Sequence, residues 1–202
     1  MTFSELVKDR YSVRSYSDRP VEDDKIAAVL EAGRVAPTAK NIQPACVYVV
    51  RSPEAVGKLR AVCKMAFDAP VVLVICADLG QSFVSPFTER NFGDTDAAIV
   101  TDHMMLQATE LGLGTCWVGW FEPGPIKEAL GIPEALTIMN LLPIGYPSAT
   151  AAPSPRHTER KPVSEFAREI RACRSAAFYR SSLPGIQTPG RNRSGGTRSP
   201  SS

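Results

Sequence analysis

The sequence lacks most of what would mark a membrane, metal-binding or disulfide-stapled protein. No apolar run approaches the roughly 20 residues that span a bilayer, and the first residues show no charged-then-apolar leader, so a cytoplasmic chain is expected. His103 and His157 are its two histidines and stand far apart, which gives no recognisable metal-ligand spacing. Five cysteines, Cys46, Cys63, Cys76, Cys116 and Cys173, are odd in number and form no CxxC pair. Most lie inside apolar runs and are expected to be buried free thiols rather than disulfides or metal ligands. Acid is missing from residues 171–202, which hold six of the 23 Lys and Arg, leaving seventeen bases against 21 acids in residues 1–170 and a net charge of −4. A mildly acidic body argues against nucleic acid as a partner, because that function needs a clustered basic face.

What is present reads as one domain of mixed α and β, with no internal repeat or linker up to about residue 175. Helices are expected over Thr2–Lys8, Glu22–Val35, Pro53–Met65, Asp94–Leu111, Ile126–Leu130 and Val163–Arg174. Their limits are set by Ser52 and Pro53 at a helix start, by Pro37 as a stop, and by Gly112 and Gly131 at helix ends. Strands are expected over Ala45–Val50, Val71–Ala77, Thr115–Gly119 and Thr137–Leu142. Residues 176–202 are rich in Ser, Gly, Pro and Arg and too poor in apolar side chains to offset ordering entropy, so a disordered tail is expected there.

Two segments could carry chemistry. In Asp9-Arg10-Tyr11-Ser12-Val13-Arg14-Ser15-Tyr16, an extended backbone turns Arg10, Ser12 and Arg14 to one side. Two guanidinium forks and a hydroxyl suit a phosphate, although a solvated basic edge strand has the same pattern. The loop Ala36-Pro37-Thr38-Ala39-Lys40-Asn41-Ile42-Gln43-Pro44 offers two side-chain amides, each a donor and an acceptor, as the edge of a heterocycle such as isoalloxazine requires. A plain helix-to-strand connection explains its prolines equally well. Gly112-Leu113-Gly114 ends a helix and so reads as a cap rather than a dinucleotide fingerprint. Trp117 and Phe121 are expected in the core, with Trp120 open between core and substrate stacking. Asp94, Asp96 and Asp102 are expected to be solvated or capping, and His103 a satisfied core or interface residue.

Arg-Tyr-Ser-Val-Arg (10–14) followed by Ala-Pro-Thr-Ala-Lys-Asn-Ile-Gln-Pro (36–44), with an amphipathic helix between, resembles the paired signature of the nitroreductase family. The likeness continues through residues 102–119 and through Leu142-Pro143-Ile144-Gly145-Tyr146-Pro147. The resemblance implies an α+β fold, with a central mixed, mainly antiparallel sheet flanked by helices. It also implies a homodimer with the active site at the interface, a nitroreductase-like FMN-binding domain over residues 1–175, and FMN with NADH or NADPH as electron donor. It assigns Arg10, Ser12 and Arg14, with the Tyr11 backbone, to the FMN phosphate and ribityl chain. Pro37, Thr38, Ala39, Asn41 and Gln43 would meet the flavin from the other subunit, Gly119 and Trp120 would face its N5 edge, and Arg160 would be a late phosphate-binding arginine. Three positions depart from the pattern: Ala39 stands where serine is common, Ala45 where an aromatic is, and Trp120 where glycine is.

The implied activity is hydride transfer from NAD(P)H through flavin N5 to an electron-poor small molecule, a nitroaromatic, quinone or enone, by a ping-pong mechanism. No catalytic side chain is required, because the cofactor carries the chemistry. Two alternatives stand beside it. One is a flavin-binding carrier or regulator with little turnover; the other is a flavin-fragmenting or dehalogenating relative on the same fold.

Overall fold

The computed structural model describes residues 1–170. Its described residues divide into two units, residues 1–159 and a second that begins at Arg160. The expected tail, residues 176–202, and the end of the last expected helix lie outside the described residues.

The first unit is built on four antiparallel strands in the order β1-β2-β4-β3. These are β1 (Ala45–Val50), β2 (Val71–Ala77), β3 (Gly114–Thr115) and β4 (Thr137–Gly145). The expected α+β class and antiparallel sheet are therefore observed. β2 is central, and its unbroken run Val-Val-Leu-Val-Ile-Cys-Ala has every residue buried, as a strand covered on both faces requires.

The alternation of β2 sorts the core into two layers. Val71, Leu73 and Ile75 face α2 (Asp23–Arg34) and α4 (Gly93–Glu110), meeting Ile26, Val29, Val100 and Met104. Val72, Val74 and Cys76 face α3 (Pro53–Val62) and α5 (Pro123–Leu130), meeting Val56, Leu59 and Ile126. α1 (Phe3–Asp9) is opened by a capping box, in which Thr2 Oγ1 accepts from Glu5 N–H and Glu5 Oε2 accepts from Thr2 N–H at 2.7 Å. Ser52 caps α3 by accepting from Ala55 N–H, with Pro53 in the first turn as expected. Gly112 adopts φ +76° after α4, and Leu113 N–H reaches back to Ala108 O at 2.8 Å, closing the helix end.

Several expected boundaries change. α3 stops at Val62, and Lys64–Ala66 form a separate 3₁₀ turn. The expected strand Thr115–Gly119 contracts to Gly114–Thr115 plus one bridge, Val118 to Leu141, while β4 runs on to Gly145. The last helix, α6, covers Val163–Phe166 in the second unit.

The segment before α2 is extended, as expected, but it is not a ladder strand. It touches the sheet edge through a parallel bridge from Ser12 to Thr115, with Val13 N–H donating to Thr115 O at 2.8 Å. Gly114 makes that approach possible: a Cβ there would stand 2.6 Å from a Val13 methyl. Tyr16 fixes the segment's far end, its hydroxyl lying 2.8 Å from Val13 O and 3.2 Å from Pro143 O.

Candidate functional site

On the extended segment, Arg14 Nη1 donates to Ser12 O at 3.4 Å. Arg14, Ser12 and Arg10 all act on Cys116. Burial raises the pKa of this thiol, while the Arg14 charge, a hydrogen bond with Ser12 and the Arg10 charge pull it down. The Arg14 and Arg10 charges are thus both felt at the Cys116 thiol, which follows β3. Neither arginine is ion-paired with a carboxylate among the described residues. Tyr11, Ser12 and Arg14 also line a cavity of about 460 Å³ whose far wall is residues 150–155. His157 braces this wall, placing one ring nitrogen 2.9 Å from Lys8 O and an edge-on contact against Tyr11, with ring centres 6.4 Å apart.

The second segment is a tight, strained loop. Lys40, Asn41 and Gln43 have φ of +53°, +56° and +57°, a region that side chains other than glycine rarely occupy. Such conformations cost about 1–3 kcal/mol each and persist only where the surroundings impose them. Part of the imposition is local: Asn41 N–H donates to Thr38 O at 2.9 Å, and Gln43 N–H donates to Thr38 Oγ1 at 3.1 Å. The rest comes from α4, where Asp96 Oδ1 accepts from Ala39 N–H at 2.8 Å. Pro37, Asn41 and Gln43 remain exposed, so both side-chain amides are available. Thr38 and Gln43 line a different cavity, of about 540 Å³, with Ala45, Val47, Val100 and Met104.

Gly119 and Trp120 follow the Val118 bridge. Both are exposed, and the Trp120 ring is 85% exposed, which removes the core reading for that residue. Trp117, expected in the core, is 38% exposed, whereas Phe121 does pack on the second core layer. Arg160 lies in the second unit and is exposed. His103 is satisfied by Ile99 O at 3.0 Å, as expected.

Sequence reasoning missed Asp96. Expected to be solvated or capping, it is 2% exposed, and its Oδ2 has no hydrogen-bond partner among the described residues. Acids in the first turn of a helix, here Asp94 and Asp96, signal only a favourable dipole interaction, so nothing local announced the contact of Asp96 with a loop 57 residues away. Cys46 is a second correction, since it is exposed rather than buried.

The comparisons with known proteins identify the family. The model of the nitroreductase family matches residues 7–68 and 58–146. A putative NADH dehydrogenase/NAD(P)H nitroreductase from Methanothermobacter thermautotrophicus is 31% identical over 155 residues, covering 73% of this chain and 78% of that protein. An FMN reductase [NAD(P)H] from Bacillus subtilis is 29% identical over 174 residues, covering 76% of this chain and 70% of that protein. The solved structure of a nitroreductase family protein from Clostridium difficile aligns with a TM-score of 0.77 at 42% identity, covering 83% of this chain and 98% of that one. The chain belongs to the nitroreductase family.

Proposed function

We propose that this chain passes hydride from NAD(P)H through FMN N5 to an electron-poor small molecule, such as a nitroaromatic, quinone or enone, in a ping-pong cycle. At the level of class, it is an NAD(P)H-dependent flavin oxidoreductase with FMN as its cofactor. The observation that carries the finer reading is that Ser12 and Arg14 line one cavity beside Tyr11, with Arg10 two residues before Ser12 on the same extended backbone. That donor set fits a phosphate-bearing cofactor, because paired N–H forks and a hydroxyl match phosphate oxygens.

When bound, FMN supplies the redox chemistry at N5. In this reading Arg10, Ser12 and Arg14 hold the phosphate, with the Tyr11 backbone alongside. Gly119 and Trp120 border the N5 edge, and the exposed Trp120 ring offers a face on which a planar acceptor can stack. Pro37, Thr38, Ala39, Asn41 and Gln43 contribute from a second copy. Within one chain the arginine segment and the amide loop line different cavities, and a homodimer with the site at its interface supplies both to one ligand. An apolar groove of about 530 Å³ between α1, α2 and α4 supports that assembly. Phe3 and Val35 are 69% and 60% exposed there, with Asp102, Gln107 and Glu110 also lining it. No described helix is long and apolar enough to cross a membrane.

The test is the visible spectrum of the purified protein, followed by anaerobic NADH or NADPH and then a quinone. A flavin band that bleaches with one donor and returns with the quinone is expected. Protein that neither carries nor takes up FMN overturns the reading, and FMN that bleaches once without turnover makes the chain a carrier.

A further inference from the structure

Cys46 and Cys76 stand directly opposite each other in the antiparallel β1–β2 ladder. The type of pair follows from its neighbour: Asp78 N–H donates to Pro44 O at 3.0 Å, so 44 and 78 form a hydrogen-bonded pair. Pair types alternate along an antiparallel ladder, which makes 46 and 76 hydrogen-bonded too, with Cα atoms about 5.5 Å apart. The Cα separation falls inside the roughly 4.4–6.8 Å window for a disulfide. The Cβ atoms of a hydrogen-bonded pair lie at the wide end of about 4.5–5.5 Å and must close to about 4.5 Å or less for the bond to form, a shift that an edge strand such as β1 can make. Directly opposed residues share a face, so both thiols lie on the α3 and α5 side of the sheet. They also sense each other. Burial pushes the Cys76 thiol up to about 11, the neighbouring Cys46 adds to the rise, and Lys127 opposes it. The two differ in access: Cys46 is exposed on an edge strand, while Cys76 is fully buried at the sheet centre.

We propose that Cys46 and Cys76 form a redox-active dithiol that closes into a cross-strand disulfide when the protein meets a small-molecule disulfide. Cys46, the accessible sulfur, loses its proton and attacks one sulfur of the oxidant, breaking that S–S bond and releasing one small thiol. Cys76 then loses its proton and attacks the Cys46 sulfur. The Cys46–Cys76 bond forms and the second small thiol leaves. Two protein thiols give up two electrons and two protons, and the oxidant disulfide takes up both. The poor acidity of Cys76 makes the second step the slow one. The product ties β1 to β2 two residues after Pro44, where the strained loop joins the sheet.

The experiment treats the full chain carrying C173S with oxidised glutathione and maps thiols by mass spectrometry without reduction. The expected product has lost the mass of two hydrogen atoms, has its Cys46 and Cys76 peptides linked, and reverts with dithiothreitol. C76A should stop at glutathione on Cys46, and C46S should leave Cys76 a thiol. A chain that keeps glutathione on Cys46 without ever linking to Cys76, or in which both remain thiols, overturns the proposal. The peptide map of the C173S chain, which keeps both Cys46 and Cys76, decides this even where C76A or C46S fails to fold.

Discussion

Asp96 Oδ1 accepts from the Ala39 N–H at 2.8 Å, joining the first turns of the longest helix to a loop with three left-handed non-glycine residues. The carboxyl is buried, so removing it leaves the Ala39 N–H without its partner in a place where water cannot readily replace it. D96A is expected to cost about 1–3 kcal/mol of stability and to weaken FMN binding. D96N keeps an oxygen acceptor and should lose less of both. Urea unfolding and FMN fluorescence titration separate the two effects. An alanine variant with unchanged FMN affinity would mean that Asp96 serves stability alone.

That contact also marks where the sequence stopped being legible. β1 and β2 begin and end where their apolar runs do, and α4 is displaced by a single residue at each end. Their signals are local: periodicity, prolines and a helix-ending glycine. The alignment of Ser12 and Arg14 along one cavity was equally readable, because it needs only an extended backbone. Asp96 and the Cys46–Cys76 register depend on which elements become neighbours, information that no window of sequence holds. Trp117 failed for a related reason: β3 ends at Thr115, so the strand alternation that would have turned the indole inward no longer applies.

Glu22 predicts a pH dependence. Tyr146 Oη donates to Glu22 Oε2 at 2.7 Å, and Arg19 donates to Oε1 at 2.8 Å while its guanidinium carbon sits 3.8 Å from the Tyr146 ring centre. These hydrogen bonds hold the Glu22 carboxyl at about 2, below its ordinary 4.5. A depressed folded-state value means that the contribution is complete above the unfolded value and is lost as pH falls from about 4.5 towards 2. Urea midpoints measured from pH 6 down to pH 2 should fall less steeply for E22Q than for the wild type. Parallel curves would show that the Tyr146 and Arg19 contacts carry no net linkage.

The groove between α1, α2 and α4 predicts the response of the assembly. Val35 is 60% exposed beside Phe3 and Leu106. In a two-fold dimer the same patch meets itself, so one glutamate would introduce two like charges into a contact that already holds Asp102 and Glu110. V35E is expected to convert a dimer into monomer by light scattering, with loss of bound FMN in the same step, because Thr38 and Asn41 would no longer reach the partner's site. Monomer that retains FMN tightly would contradict the cross-subunit role of that loop.

Arg14 tests the phosphate assignment. Its side chain is exposed and has no carboxylate partner among the described residues; it donates to Ser12 O at 3.4 Å, and its guanidinium carbon lies 5.9 Å from the Phe67 ring centre. Removing it should therefore leave the melting temperature nearly unchanged. Loss of a charge-assisted contact to phosphate, moderated by solvent, is expected to weaken FMN by about 1–2 kcal/mol, roughly 5- to 30-fold in the dissociation constant. R14K keeps the charge but not the fork and should fall between, with the wild-type affinity declining as salt rises. Equal FMN affinity in R14A and wild type would remove Arg14 from the site and leave Arg10 and Ser12 to hold the phosphate.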